Sequence, residues 1–372
     1  MIKVLHLFTT LDSGGVESFL FNYYSHIDRK KIRFDFIVPG EKQGFLEEKM
    51  KELGGEVYHV PLKRDKPLQQ FISIASLIKK GGYDVVHCHG YKSTIGLVLS
   101  KIIGCKIRII HSHMAYVTEN HFQKAFRKLI TILAKVLATH WFACGEDSAK
   151  WLYGEKAYKE GKVEIIYNAI DLKKYQFLSD VREKCRRELD VSNKFVLGNI
   201  ARLSDQKNQS YLFSVLKELV LIKPNVILLL VGNGEDEQRL KQKALELNLT
   251  PYVLFLGRRT DIPDLLSAMD VFLLPSKYEG LPVSLVEAQA SGLQILSSDT
   301  VTQEVNVTKN ISYLPINEES VLLWRDKLLS LTSEESNRFK INNSMTDGFY
   351  DIRYQASKLL NRYQEMCVIK EI

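Results

Sequence analysis

Residues 271–288 read VFLLPSKYEGLPVSLVEA, and this stretch decides the fold. The apolar run 271–274 is too short for a helix and predicts a buried strand. Gly280 and Pro282 predict a rigid turn, and a helix is expected to begin near Val283. A strand, a tight turn and a helix form the repeating unit of α/β proteins, in which parallel strands lie between layers of helices.

Further apolar runs of strand length alternate with longer amphipathic stretches along the whole chain. Many are rich in Val, Ile and Leu on both faces, so they predict parallel sheets that are covered on both sides. We expect a first series of strands at 4–8, 34–38, 56–60, 84–89, 107–113, 141–144 and 163–167, and a second series at 195–200, 226–231, 253–256, 271–274, 294–297 and 312–314.

A polar, helix-like stretch at 179–189 and a turn at 190–193 separate the two series. We therefore predict two Rossmann-like domains, residues 1–177 and 178–372, with a C-terminal helix at about 348–370 that can cross back onto the first domain. A chain of 372 residues is long enough for two such cores.

Composition narrows the class of protein. A hydrophobic fraction of 45% and a charged fraction of 26% are typical of soluble globular proteins. The five cysteines include no Cys-x-x-Cys pair, which fits a reducing compartment and neither a disulfide framework nor a zinc site. No secretory signal and no apolar run of about 20 residues is visible, so we expect a cytoplasmic protein without a membrane span.

The net charge of +7 is unevenly distributed along the chain. Residues 1–177 hold 27 Lys+Arg and 18 Asp+Glu, an excess of +9, whereas residues 178–372 hold 24 and 26, or −2. A basic half attracts anionic partners such as a diphosphate, an anionic bilayer or nucleic acid, although a solvated basic surface explains the charge equally well.

Paired glycines follow the first predicted strand. The turn at 11–17 contains Gly14 and Gly15 and leads into a helix, whose N-terminal amides suit a diphosphate or a sugar hydroxyl. The turn is neither a Gly-x-Gly-x-x-Gly fingerprint nor a Gly-Lys-Ser phosphate loop, and a tight strand-to-helix connection explains it about as well.

Two cations follow the first strand of the second series. Arg202 and Lys207 lie in the stretch 198–208, at the carboxyl end of that strand. Such a pair can clamp a diphosphate without a metal ion, and two ordinary surface cations are the alternative.

Two carboxylates flank the predicted helix start at Val283. Glu279 lies on the loop before the helix and Glu287 about one turn inside it. Beside Gly280, the amides of Val283, Ser284 and Leu285 are expected to point at an anion, with the two carboxylates accepting hydrogen bonds from sugar hydroxyls. The alternative for either glutamate alone is a favourable charge near a helix N-terminus.

Four histidines end two neighbouring strands of the first series, at 87, 89, 111 and 113. Their spacing of two residues places each pair on one face of its strand. Zinc is conceivable there, but no carboxylate or cysteine stands at a spacing that would complete a site, so no metal is expected. One histidine hydrogen-bonded to a sugar, with the others packed between layers, is the favoured interpretation.

With these residues in hand, the chain resembles the retaining glycosyltransferases of family 4, which have the GT-B fold of two Rossmann-like domains facing each other across a cleft. The resemblance rests on the Gly14-Gly15 turn, the Arg202 and Lys207 pair, the string VGNGE at 231–235 and, above all, Glu279 and Glu287 with seven residues between them in YEGLPVSLVEA. The branch it is most similar to builds bacterial exopolysaccharide or capsule.

The resemblance implies a role for each candidate residue. Arg202 and Lys207 would bind the nucleotide diphosphate, Gly15 would approach it, and Glu287 would hold the ribose hydroxyls. Glu279 and His113 would contact the donor sugar, with His111 as the alternative to His113, and Arg258 would lie beside the base. Two departures from the family pattern, Ala169 and Asn208 where glycine is common, remove no functional side chain.

The function implied is transfer of a hexose or N-acetylhexosamine, with retention, from a nucleotide-diphosphate sugar, expected to be UDP-linked, to a glycan or polyprenyl-diphosphate-linked acceptor. No cofactor, no metal and no nucleic acid are expected. A GT-B sugar-nucleotide epimerase and a non-catalytic sugar-nucleotide-binding subunit are the alternatives. A dinucleotide oxidoreductase is disfavoured because the glycine fingerprint is missing.

A basic amphipathic helix is expected at 121–140. Its apolar face comprises Phe122, Phe126, Leu129, Ile130, Leu133, Val136 and Leu137, and its cations are Lys124, Arg127, Lys128 and Lys135. Such a helix can lie in a bilayer interface, which predicts peripheral association with the inner face of the cytoplasmic membrane. Packing of the apolar face on the N-terminal sheet is the alternative.

Overall fold

The computed structural model describes residues 1–8, 14–114, 121–331, 338–341, 345 and 348–368. It divides into two compact units, Met1–Ala169 with Phe349–Ile372, and Ile170–Gly348. The sequence-based boundary near 178 differs from this division, because residues 170–177 fold with the second unit and the C-terminal helix folds with the first.

A seven-stranded parallel sheet forms the centre of the first unit, with the strand order β3-β2-β1-β4-β5-β6-β7. Its strands are β1 Ile2–Leu7, β2 Ile32–Pro39, β3 Val57–Val60, β4 Val85–His89, β5 Ile107–Ser112, β6 His140–Ala143 and β7 Val163–Ile165. The helices are α1 Gly15–His26, α2 Glu47–Glu52, α3 Pro67–Gly81, α4 Thr94–Ile103, α5 His121–Leu137, α6 Glu146–Tyr153, α7 Glu155–Lys159 and, at the C-terminus, α14 Ile352–Val368.

Alternate residues of each central strand enter different cores. Val85 of β4 belongs to the core formed with α1 and α14, whereas Val86 belongs to the core formed with α3, α4 and α6. This follows from the two-residue period of a strand, which sends neighbouring side chains to opposite faces of the sheet. His87 and His89 therefore share the face of Val85, beneath α1 and α14.

A six-stranded parallel sheet forms the centre of the second unit, in the order β10-β9-β8-β11-β12-β13. The strands are β8 Phe195–Ile200, β9 Val226–Val231, β10 Val253–Gly257, β11 Val271–Leu274, β12 Gln294–Ser298 and β13 Ile311–Leu314. The helices are α8 Ser179–Glu188, α9 Gln209–Val220, α10 Glu237–Glu246, α11 Ile262–Ala268, α12 Val283–Ala290 and α13 Val321–Ser330. All six residues of β9 and five of the six residues of β8 are buried, as expected for strands between two helix layers.

Each sheet reverses its strand order at one point, between β1 and β4 in the first unit and between β8 and β11 in the second. Loops leave the carboxyl ends of these two strands in opposite directions, which opens a crevice where parallel α/β sheets bind ligands. Most predicted site residues of the second unit follow β8 and β11, and Arg258 follows β10. The four predicted histidines of the first unit lie on β4, on β5 or directly after it. No helix among the described residues is long and apolar enough to cross a bilayer.

Candidate active site

The loops after β8 and β11 bring Lys207 and Glu279 into direct contact. The Nζ atom of Lys207 lies 2.5 Å from Oε1 of Glu279, and the two side chains are 19% and 7% exposed. Seventy-two residues separate them in sequence, so the contact is produced by the pairing of β8 with β11. A cation and a carboxylate thus stand together at the strand reversal of the second sheet.

Hydrogen bonds between the two loops hold this pair in place. The amide of Lys277 donates to the carbonyl of Gln206 at 2.8 Å, and Nε2 of Gln206 donates to the carbonyl of Tyr278 at 2.9 Å. Asn208 has φ +54°, a left-handed conformation that asparagine tolerates better than most residues, and its Nδ2 donates to the carbonyl of Pro275 at 3.2 Å. The left-handed backbone at this position explains why glycine suits it, and asparagine can adopt the same conformation.

Arg202 and Arg258 each contact a residue of the glycine-rich string after β9. The guanidinium of Arg202 lies 3.2 Å from Glu235, with both side chains well exposed, and Nε of Arg258 donates to Oδ1 of Asn233 at 3.1 Å. A Cβ at Gly232 would collide with the carbonyl of Ala201, so this glycine allows the loops after β8 and β9 to meet. Arg202 and Arg258 are thus both joined to the loop after β9.

The helix that follows Pro282 begins as predicted at Val283, but one of its three expected amides is already used. The amide of Leu285 donates to the carbonyl of Pro282 at 3.1 Å, and its assignment to an anion stays a prediction. Within the described residues, the amides of Val283 and Ser284 make no backbone hydrogen bond, as expected for the first turn of a helix. The N-terminus of α12 therefore retains two donors near Gly280.

Glu287 is held by a tyrosine that sequence analysis did not identify. The hydroxyl of Tyr175 donates to Oε1 of Glu287 at 2.8 Å, and among the described residues Oε2 has no hydrogen-bond partner. Burial raises the pKa of Glu287, and the Tyr175 hydrogen bond and nearby Lys174 partly oppose that rise. Burial and the Glu287 carboxylate raise the pKa of Tyr175 well above its ordinary value, which keeps the phenol a donor.

Five histidines form two hydrogen-bonded chains in the first unit. In one chain His6 Nδ1 lies 3.0 Å from His89 Nε2, and His89 Nδ1 lies 2.8 Å from His113 Nε2. In the other, the Tyr363 hydroxyl of α14 lies 2.7 Å from His87 Nδ1, and His87 Nε2 lies 3.2 Å from His111 Nδ1. A ring in the middle of such a chain must donate through one nitrogen and accept through the other, which only a neutral imidazole in the right tautomer can do.

Burial is the main reason that these histidines stay neutral. It lowers the pKa of His6, His87, His89 and His111 well below the ordinary value, with the other rings of the array adding to the effect, and it lowers the pKa of His113 to about 3. His111 is fully buried, whereas His113 is only partly so and its Nδ1 has no hydrogen-bond partner in the described structure. His111 and His113 each end a chain with a buried ring nitrogen, Nε2 and Nδ1 respectively, that has no hydrogen-bond partner in the described structure, so only the partial exposure of His113 distinguishes the two alternatives.

Two groups of three histidines are close enough to hold a metal ion. The ligand nitrogens of His6, His87 and His89 lie within 4.8 Å of one another, and so do those of His89, His111 and His113. Three imidazoles are a donor set that zinc accepts. Several ring nitrogens of these histidines are already engaged in ring-to-ring hydrogen bonds. The expectation of no metal stays a prediction.

The paired glycines have different local surroundings. Gly14 precedes α1, and a Cβ there would collide with the carboxylate of buried Glu17, whereas a Cβ at Gly15 would meet nothing within 4 Å. Residues 11–13 of the predicted turn lie outside the described residues. Phe19 of α1 packs edge-on against His113, with ring centroids 5.3 Å apart, so the helix that begins at Gly15 also covers the histidine chain.

Three contacts of the candidate site were not predicted: those of Tyr175, Asn233 and Glu235. Asn233 and Glu235 lie in the string VGNGE, which contributed to the family resemblance. The sequence therefore pointed to this segment but did not indicate that it contacts Arg258 and Arg202. Tyr175 lies in a segment without strand or helix periodicity, and nothing in the sequence connects it with a glutamate 112 residues away.

Two parallel-sheet Rossmann-like units give this chain the GT-B fold, and both of its domains match glycosyltransferase domains. The family described as "Glycosyltransferase Family 4" matches residues 13–174, and the family described as "Glycosyl transferases group 1" matches residues 181–344. The chain therefore carries both domains of such an enzyme.

Individual proteins show the same relationship along nearly the whole chain. The glycosyltransferase EpsF of Bacillus subtilis is 29% identical over 97% of this chain and 96% of its own length. UDP-Gal:alpha-D-GlcNAc-diphosphoundecaprenol alpha-1,3-galactosyltransferase of Escherichia coli is 28% identical over 82% of this chain and 81% of its own. The structure of HepE from Anabaena in complex with UDP-glucose superposes with a TM-score of 0.78 at 20% identity, covering 100% of both chains.

Proposed function

We propose that this glycosyltransferase moves a hexose or N-acetylhexosamine from a UDP-linked sugar to a polyprenyl-diphosphate-linked glycan, with retention at the anomeric carbon, in exopolysaccharide or capsule biosynthesis. The observation that carries the proposal is the contact between Lys207 and Glu279 at the carboxyl ends of β8 and β11. It joins a diphosphate-binding cation to a carboxylate suited to sugar hydroxyls.

The second unit offers complementary groups for each part of the donor. Arg202, Lys207 and the N-terminus of α12 provide positive charge and amides for the diphosphate. Glu287 presents one unpaired carboxylate oxygen for ribose hydroxyls, while Arg258 is assigned to the base. From the first unit, the resemblance assigns the Gly14 and Gly15 turn to the diphosphate and His113 to the donor sugar.

The chemistry needs charge stabilisation more than an acid and a base from the protein. The acceptor hydroxyl oxygen forms a bond to the anomeric carbon as the bond from that carbon to the diphosphate oxygen breaks, and the hydroxyl proton passes to the leaving diphosphate on the same face. Lys207 has three donor hydrogens, so it can hold Glu279 and the diphosphate together. Preorganised cations are most effective where charge develops in the transition state.

The donor and acceptor classes are supported by the named relatives. The Escherichia coli relative uses UDP-Gal and an acceptor built on diphosphoundecaprenol, and HepE binds UDP-glucose. A lipid-linked acceptor places the reaction at a membrane surface, and we assign that surface to the cytoplasmic face.

The test is a transfer assay with the full chain, a panel of UDP-hexoses and UDP-N-acetylhexosamines, and a short-chain polyprenyl-diphosphate sugar. We expect one donor to release UDP in an acceptor-dependent manner, and NMR coupling of the product to show the anomeric configuration of the donor. Lys207→Ala should abolish most of this release. Donor epimerised without acceptor would identify the epimerase alternative, and donor that binds without any turnover would identify a binding subunit.

A further inference from the structure

Helix α5 exposes its apolar face to solvent, whereas an ordinary surface helix of an α/β unit buries that face. Phe122, Phe126, Leu129, Leu133 and Val136 follow one another at steps of four, three, four and three residues, which places them on one helical face. These five side chains are 79%, 53%, 64%, 41% and 70% exposed, and Ile132 beside them is 48% exposed. We call these six residues the α5 stripe.

The opposite face attaches α5 to the first unit. Thr131, Ala134 and Leu137 are buried there, and Ala134 and Leu137 belong to the core beneath α3 and α4. The Arg127 guanidinium lies 4.7 Å from the centre of the Trp151 ring, and Nζ of Lys135 donates to the carbonyl of Tyr153 at 3.3 Å. The helix is therefore anchored by the face that carries Thr131 and Ala134. The alternative that the apolar face packs on the N-terminal sheet does not hold for the α5 stripe, although Leu137 of the predicted apolar face is buried.

The charge around the stripe has a single sign. Helix α5 contains four cations and no acidic residue, and residues 120–145 contain no Asp or Glu at all. Lys124 and Lys128 are exposed, and Lys128 lies one turn from Ile132 of the stripe. A row of large apolar side chains with Lys128 at its border, on a helix whose other exposed charge is also positive, combines the two forces that hold a helix in an anionic bilayer interface.

We infer that the α5 stripe docks on an anionic lipid bilayer, with the helix lying in the plane of the interface. A bilayer fits better than a protein groove because the stripe extends along the entire 17-residue helix, and the charge excess of +9 in residues 1–177 has the same sign as the border. The docking surface supplies the membrane partner for the reaction proposed above, but the geometry that carries it does not depend on that reaction.

Flotation of the full chain with vesicles of phosphatidylglycerol and phosphatidylcholine tests the inference. The protein should float at low salt, lose most of its binding at about 1 M salt, where the Debye length is about 3 Å, and float poorly with phosphatidylcholine alone. No flotation with the anionic vesicles at low salt would overturn the inference.

Substitutions separate charge from apolar insertion. Lys124→Gln with Lys128→Gln should weaken partitioning roughly thirtyfold, which corresponds to about 1 kcal/mol for each cation. Leu129→Gln with Val136→Gln should weaken it at least about tenfold. Arg127 is left unchanged because its stacking on Trp151 contributes to the fold.

Matched controls lie in the second unit. Lys184→Gln with Lys217→Gln removes the same charge from exposed positions, and Leu221→Gln with Ile222→Gln removes apolar side chains that are 77% and 56% exposed. Both controls should float like the natural chain. Equal flotation of the α5 variants and the controls would overturn the inference.

Thermal unfolding and size measurements exclude the other uses of the stripe. Because its side chains are exposed, Leu129→Gln with Val136→Gln should leave the melting temperature within about 2 °C, whereas a large loss would show that the stripe packs within the protein. A dimer in solution that this variant converts to a monomer would show that the stripe pairs two copies of the chain. Transfer to a water-soluble acceptor should be unchanged in all of these variants, so failure of docking and failure of the proposed function are measured separately.

Discussion

The ammonium group of Lys207 touches the carboxylate of Glu279, although the two residues lie on loops after different strands. Because the side chain of Glu279 is only 7% exposed, removing the lysine leaves a buried carboxylate without its cation. The contact between Lys207 and Glu279 therefore contributes both to the stability of the second unit and to the proposed catalysis. Substitutions at the two positions can separate these contributions.

Lys207→Ala should lose both stability and activity. The unpaired Glu279 should cost roughly 1.5–3 kcal/mol of unfolding free energy, measured by urea, and loss of a preorganised cation should reduce kcat by about 10²–10³. Lys207→Ala combined with Glu279→Gln should recover much of the stability and none of the activity. Arg202→Ala is the matched control, since its pair with Glu235 is exposed: it should lower kcat with little change in stability. Normal turnover by Lys207→Ala would contradict the assignment.

Glu287→Ala should weaken donor binding at least tenfold. A carboxylate that accepts two ribose hydroxyls makes hydrogen bonds worth roughly 1.5–3 kcal/mol each, which calorimetry with UDP can measure. Tyr175→Phe should weaken binding less, because it removes only the hydrogen bond that orients Oε1. The pKa of Glu287 is raised, so this carboxylate takes up a proton at a higher pH than an ordinary glutamate does. As the pH is lowered, affinity for UDP should therefore begin to fall at a correspondingly higher pH. Unchanged affinity in Glu287→Ala would refute the ribose role.

Activity should not require a divalent ion. If Arg202, Lys207 and the α12 amides neutralise the diphosphate, turnover should persist in excess chelator. The histidine array provides a stricter check, because its two groups of three could take up zinc. Elemental analysis of the purified chain should find no stoichiometric transition metal. A tightly held metal that disappears in His89→Gln would show that the array is a metal site.

The strands of the fold were predictable from the sequence where burial on both faces alone determines the run of apolar residues. Strands β8, β9 and β11 begin and end at the predicted residues, because strands covered on both faces are continuous apolar runs between turns. The two-domain GT-B fold is confirmed. The start of α12 at Val283 was predictable for a similar reason, since Pro282 can only precede a helix or occupy its first turn.

Contacts between distant segments were not predictable. Periodicity located the apolar face of α5 but could not indicate that the opposite face would be buried, because burial depends on Trp151 and Tyr153 of another helix. The partners Tyr175 and Glu287 are brought together only by the folded second unit. The paired spacing of the histidines on β4 and β5 was visible, whereas His6 joins them only because β1 pairs with β4.

The histidine array should make the first unit selectively sensitive to acid. All nine histidines of the chain lie within residues 1–169, so the second unit contains none and serves as an internal control. The pKa values of the five buried rings lie well below 6.5 in the folded protein, with that of His113 at about 3, while each should be near 6.5 when unfolded.

Below pH 6.5 the unfolded first unit therefore binds more protons than the folded one, and its stability must fall as the pH falls. Stability is complete above about pH 7.5, and each histidine adds a slope approaching about 1.4 kcal/mol per pH unit below 6.5, so the five rings together lose on the order of 7 kcal/mol between pH 7.5 and 5.5. Calorimetry from pH 7.5 to 5.5 should show one transition moving to lower temperature much more than the other. Replacing His87 by Gln should reduce the slope by about one proton. Equal shifts of both transitions would mean that the rings are not held neutral in the folded unit.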